Sequence, residues 1–177
     1  MAQDAANVLV AATGAIYMST VGATTPANST APLSTAWHEL GFISEDGFTE
    51  NWTIDSEEIK AWQNGAIVRR VITGSGLEFN FEAIETKQKT LELFYPGSTV
   101  AAGQLTHKLA VATDKAFVFD IVDGVKTERI VVATARLSEA GERQYVNGSP
   151  RPFPVTIAVQ PSTASELAIH YYDPALT

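Results

Sequence analysis

The chain has 177 residues, 45% of them hydrophobic, enough for one ordinary globular domain with a true core. Twenty acids against twelve bases leave a net charge of −8, which argues against a nucleic-acid clamp or an anionic membrane surface as partner, since both call for clustered Lys and Arg. No cysteine is present, so disulfides, thiolate chemistry and cysteine-built metal sites are excluded, and His38, His107 and His170 stand at no metal-ligand spacing from one another.

The first twenty residues carry an acid, Asp4, and no basic region, and their apolar stretch is broken by Thr13 and Gly14. Neither a signal peptide nor a membrane span is expected there, which points to a cytoplasm-like compartment. Residues 22–36 (GATTPANSTAPLSTA) hold no charge and are dense in Thr, Ser, Pro and Ala, the composition of a flexible loop or arm. A strand is predicted over 37–42. A second follows over 43–54, where polar and apolar residues roughly alternate from Phe48. Residues 55–65 (DSEEIKAWQNG) form a polar connection that ends in the turn pair Asn64-Gly65. Strand character resumes at 66–73, is interrupted by Gly74-Ser75-Gly76, and then alternates cleanly, with Leu77, Phe79, Phe81 and Ala83 on one face.

One helix is expected over 84–95, where Ile84, Lys87, Leu91 and Phe94 make a single stripe and Pro96-Gly97 provides the stop. Strands are predicted at 116–122 and 125–137 around the hairpin pair Asp123-Gly124, then at 155–160 and 166–172. Prolines at 150, 152 and 154 place the start of the penultimate strand at a sheet edge or end. The sum is a mainly β domain, a sandwich or half-open barrel with one flanking α-helix and a long projecting hairpin. The two strands either side of 55–65 are far longer than the usual ~5–6 residues, and their unpaired edges call for a covering partner such as another copy.

Charge is uneven as well. Glu39, Glu45, Asp46, Glu50, Asp55, Glu57 and Glu58 follow one another with no intervening Lys or Arg, either as a solvated face or as an acidic wall that repels something negative. The pairs Glu57/Glu58 and Glu78/Glu82 offer no acid–base dyad, because Glu78 and Glu82 share the polar face of a strand, and no nucleophile–base constellation is visible elsewhere. The Asp-Gly turns lack the oxygen ligands that calcium requires.

Several of these stretches are familiar in their order. TGAIY (13–17), the Thr/Pro/Ala loop, WHELGFISEDG (37–47), IKAWQNG (59–65), IETKQKTLELFY (84–95) and, more weakly, PVTIAVQP (154–161) resemble the major tail tube proteins of long non-contractile-tailed bacteriophages of the siphovirus type, in particular those infecting actinobacteria. The resemblance implies a single tail tube domain over 1–177 and a non-enzymatic virion protein without cofactor or metal. It implies hexameric rings, assembled in the host cytoplasm, that stack into a hollow tube for the genome. Long strands of each subunit would join a continuous barrel with an acidic lumen, and the hairpin at 55–65 would dock on the neighbouring ring.

On that reading Asp55, Glu57, Glu58, Lys60, Trp62 and Asn64 make the inter-ring contact, and Glu50, Glu78 and Glu82 face the lumen. Arg69 and Arg70 adjoin and so point to opposite faces; the one on the channel side is expected to pair with a carboxylate. Partners would be further copies, a tape measure protein and tail tip or terminator proteins. DNA would pass without specific binding, and no membrane is involved. Two rival readings are a carbohydrate- or receptor-binding sandwich with Trp37, Trp52 and Trp62 as an aromatic platform, and the tube of a contractile injection machine.

Overall fold

In the computed structural model, which describes residues 8–162 and 164–173, the alternation of 77–83 has the expected consequence. Leu77, Phe79, Phe81 and Ala83 point into the core, and the polar residues between them point away from it. They belong to β4 (Ile67–Ala83), one of ten strands among the described residues. The others are β1 (Thr13–Thr20), β2 (His38–Glu39), β3 (Ile43–Lys60), β5 (Thr99–Ala101), β6 (Gln104–Thr106), β7 (Lys115–Asp123), β8 (Lys126–Ala140), β9 (Phe153–Val159) and β10 (Ile169–Asp173); one helix, α1 (Gln88–Phe94), lies between β4 and β5.

All strands but β5 and β6 form one antiparallel sheet in the order β2-β1-β7-β8-β9-β4-β3, with β10 also paired to β8. In a flat sheet, β7 and β4 would stand about 14 Å apart, three steps of ~4.8 Å. Yet the rings of Phe119 on β7 and Phe79 on β4 are stacked at 4.6 Å, and Phe48 on β3 lies 4.9 Å from Phe119. The sheet therefore folds over on itself into a sandwich. β8 makes the crossing: its residues 127–131 pair with β10, its residues 135–140 pair with β9, and a register shift falls between Leu137 and Glu139.

The helix closes one end of the sandwich. It is shorter than the expected 84–95, and its buried residues are Thr90, Leu93 and Phe94, with Leu91 partly covered. The expected stripe through Ile84 and Lys87 fails because both precede the helix: Lys87 is its N-cap, and the Ile84 N–H donates to the Phe42 carbonyl. The Thr90 hydroxyl donates to the Leu40 carbonyl at 2.7 Å and sets the face that turns inward. The strand expected over 37–42 shrinks to His38–Glu39, since Gly41 takes φ of 95° and lies under the Glu85 side chain, whose carboxylate accepts the Phe42 N–H. Behind the helix, the Arg143 guanidinium lies 3.9 Å over the Phe153 ring and donates to the Tyr95 hydroxyl and the Pro152 carbonyl. The prolines at 152 and 154 do sit at a strand start, but β9 is an interior strand between β8 and β4.

Residues 22–36, expected as a flexible arm, are held against the outer face of the first layer. Leu33 and Ala23 pack with Trp37, Val118 and Val131 in a second apolar cluster, and Trp37 Nε1 donates to the Thr24 carbonyl. Arg129, only 6% exposed, forms a two-pronged pair with Asp120 and donates through Nη1 to the carbonyls of Asn28 and Ala31. The segment lacks a sheet ladder and depends on these side-chain anchors. Arg129→Ala should accordingly cost about 3 kcal/mol of stability, the scale for breaking a buried pair. It should also raise amide exchange across 22–36; unchanged exchange there would show that the anchor is not Arg129.

Candidate assembly surfaces

β4 pairs with β9 only through residues 78–83, whereas its ladder with β3 continues to Ile67. From Thr53 to Gly76 the two strands therefore form a ribbon that pairs with nothing else in its sheet. The polar stretch 55–65 is not a loop throughout: Asp55 to Lys60 are strand residues, paired from Asp55↔Gly74 to Lys60↔Ile67. Their polar sequence has little strand propensity of its own, and the β-branched 67–73 opposite supplies the partner. The turn is confined to the residues after Lys60, with Asn64 and Gly65 at φ of 58° and 65°, as the Asn-Gly pair predicts.

Register fixes the two faces of this ribbon, because opposite residues of an antiparallel pair share a face. One face continues the core side: Trp52 opposite Leu77, then Ile54, Ile72, and Glu58 opposite Arg70. Past Leu77 nothing covers it, and Trp52, Ile54 and Ile72 are 53%, 60% and 70% exposed. The other face carries Asp55, Glu57, Ile59, Arg69 and Val71, and nearer the sandwich Glu78, Asn80 and Glu82. Of the expected contact residues, Asp55 and Glu57 thus lie on one face and Glu58 and Lys60 on the other, with Trp62 and Asn64 at the tip.

The three expected lumen acids do not share a wall. Glu78 and Glu82 point away from the core, opposite Ala158 and Pro154 of β9, and a cavity of about 340 Å³ brings Glu82 together with Glu139 of β8 and Asp46. Glu50 is opposite Phe79, on the core face, and its carboxylate lies 3.7 Å from His170 Nε2. His170 Nδ1 lies 2.9 Å from Glu128, so one histidine ties β10 to β8 and β3. The two adjoining arginines do point to opposite faces. Arg70, on the core-side face, pairs with Glu58 at 2.7 Å, while Arg69, on the acidic face, has no ion pair among the described residues. The other cation of that face, Arg136, is held by Asp114, and the guanidinium's hydrogen bonds lower the Asp114 carboxyl below its usual range.

No common platform joins the tryptophans: Trp37 is 7% exposed and bonded to Thr24, while Trp52 and Trp62 belong to the ribbon. His107 packs edge-on against Tyr95 in a loop. Among the described residues there is no group of three metal-ligating side chains, and no helix is long and apolar enough to cross a membrane. Sequence reasoning missed Ile54 and Ile72 as surface residues; the signal was the alternation of Trp52 and Ile54 running on into the polar stretch.

A family model described as phage tail tube protein matches residues 1–175, and the chain belongs to that family. It is a structural component of a phage-type virion tail. Among solved structures, a chain from the virion of a native gene transfer agent particle is similar at 6% identity and a TM-score of 0.43, over 97% of this chain and 98% of that one. No curated protein sequence matches.

Two outcomes follow from the surface geometry. Ile72→Ser and Trp62→Ala should each leave thermal stability within about 0.5 kcal/mol, because neither side chain is covered in the single subunit; a larger loss would mean the ribbon face is already packed. Burial raises the phenol pKa of Tyr17 and of Tyr172, with Asp120 and Glu128 adding to it respectively. A raised folded value means this stabilisation is complete below the unfolded pKa of about 10 and is lost as pH rises through the folded values. Urea titrations should show stability falling above about pH 10, and less steeply in Tyr172→Phe.

Proposed function

We propose that six copies close into a ring, that rings stack into the tube of a long non-contractile tail, and that the genome leaves through its bore. The observation that carries this is the ribbon. Eight residues of β3 and ten of β4 (53–60 and 67–76) pair only with each other, leaving two strand edges and an apolar face bare. An isolated ribbon of this kind is marginal in water and a template for further pairing, so a second copy is its natural cover. Its free edges suit a barrel continued from subunit to subunit, and its tip suits contact with the next ring. Asp55, Glu57, Glu58, Lys60, Trp62 and Asn64 would meet the neighbouring copy, on both faces and at the turn.

In this reading the outer face of β3, β4, β9 and β8 lines the channel. Glu78, Glu82 and Glu139 project there, and Arg136 is neutralised by Asp114. A ring of six would sum the chain's −8 sixfold. Screening reaches about 8 Å at physiological salt, so DNA near the wall is repelled while DNA on the axis feels little. Attraction would create many phosphate contacts and a steep, salt-dependent grip. Glu50 is assigned to the His170 contact and not to the wall. Assembly would take place in the host cytoplasm on a tape measure protein, between tip and terminator proteins.

Negative-stain microscopy of the purified protein tests this directly: rings or tubes are expected, and class averages limited to compact monomers at every salt and concentration would refute it. Replacing residues 56–73 with an Asn-Gly turn joins the paired residues Asp55 and Gly74. The variant should keep the circular dichroism of the sandwich and lose stacking. Open tubes should show no tight, salt-sensitive DNA binding.

A further inference from the structure

We infer that Trp62 of one copy seats in a cavity on the sandwich of another copy, beside the C-terminal end of α1. The inference rests on the stacked-ring reading and names the surface that receives the ribbon tip.

The tip is built to present one side chain. The Ala61 N–H donates to the Ala66 carbonyl at 2.8 Å and the Ala66 N–H donates to the Gln63 carbonyl, so the end of the ribbon is closed by a four-residue loop, 62–65, that turns at Asn64-Gly65. Trp62 is the first residue of that loop, at 99% exposure. An indole normally buries about 150–250 Å² and is the side chain most often found as an interface anchor. The ribbon leads it away from the core of its own subunit.

The receiving cavity lies on the sandwich, where the chain leaves α1 and meets β7 and β8. There the chain leaves a cavity of about 220 Å³. Leu93, Pro96 and Leu137 give it apolar walls, the Ser98 hydroxyl offers an acceptor for an indole N–H, and Lys115 supplies a cation for the ring face. Beside it, Ala110 lies against Gly97, an approach only glycine permits there, and this turns Leu109 and Val111 fully outward to flank an incoming tip. A knob on the ribbon and a hole on the sandwich make a heterologous contact, which repeats from copy to copy instead of closing as a two-fold dimer. That is the contact successive rings need.

The absence of cysteine makes a clean test possible. Gln63→Cys protein, which keeps the Trp62 indole at the tip, is mixed with a size-tagged Thr113→Cys protein, Thr113 being at the cavity rim, under assembly conditions and then oxidised. A disulfide needs Cα atoms within about 7 Å. The expected product is the mixed-size bridge, at least ten-fold over either homodimer; homodimers alone, or no bridge, would overturn the proposal. Micrographs of the same samples separate the failures, since stacks without the bridge sink the cavity assignment alone and absence of stacks sinks the ring reading too. Trp62→Ala should lose stacking with unchanged circular dichroism, and normal stacks from it would also overturn the proposal.

Discussion

The stacking of Phe119 on Phe79 is the contact on which the remaining structure depends. It joins strands three places apart in one sheet, and so exists only if the sheet doubles over. Phe48, Phe81 and Phe117 gather around the same ring, which makes this aromatic cluster the clasp between layers. Once the layers close, each has one spare outer face, and the two are treated differently. The first is covered by residues 22–36, drawn down by Arg129, whereas the second stays bare and acidic. The division of labour between a packed back and an exposed front is thus a consequence of how a single sheet is folded.

The ribbon follows from a mismatch of strand lengths. β3 and β4 run 18 and 17 residues, but β9 has only seven, so the sheet ends where β9 ends and the longer pair continues alone. Two register shifts in its outer half, at Asp55/Ser56 and Ile59/Lys60, add twist to a piece that no neighbouring strand holds flat. The bare apolar face is the core face carried beyond the core, which explains why Trp52 and Ile54 are exposed without belonging to any separate motif.

Much of this was legible in the residues, and the remainder was hidden for identifiable reasons. Alternation over 77–83, the Asn64-Gly65 turn and the Asp123-Gly124 hairpin are local signals, and each formed where expected. The strand through Asp55 to Lys60 was not legible, because its pairing energy comes from the residues opposite. Residues 22–36 looked loose since their anchors come from Arg129, about a hundred positions on. The helix stripe was misplaced because Thr90 answers to the Leu40 carbonyl, a partner fifty residues away. Separation of Glu50 from Glu78 and Glu82 depended on cross-strand register, which three isolated acids do not reveal.

The continuity of β4 from the ribbon turn into the aromatic clasp has a mechanical side. A pull applied at the turn travels along two covalent backbones, with no hinge or loop to yield between tip and core. It arrives at six residue pairs between β4 and β9, whose hydrogen bonds lie across the direction of force. Such bonds are loaded in shear and must fail together, whereas a strand peeled sideways gives up its bonds one at a time. The subunit is consequently stiff to tension along the ribbon and weak to peeling at its free β3 edge.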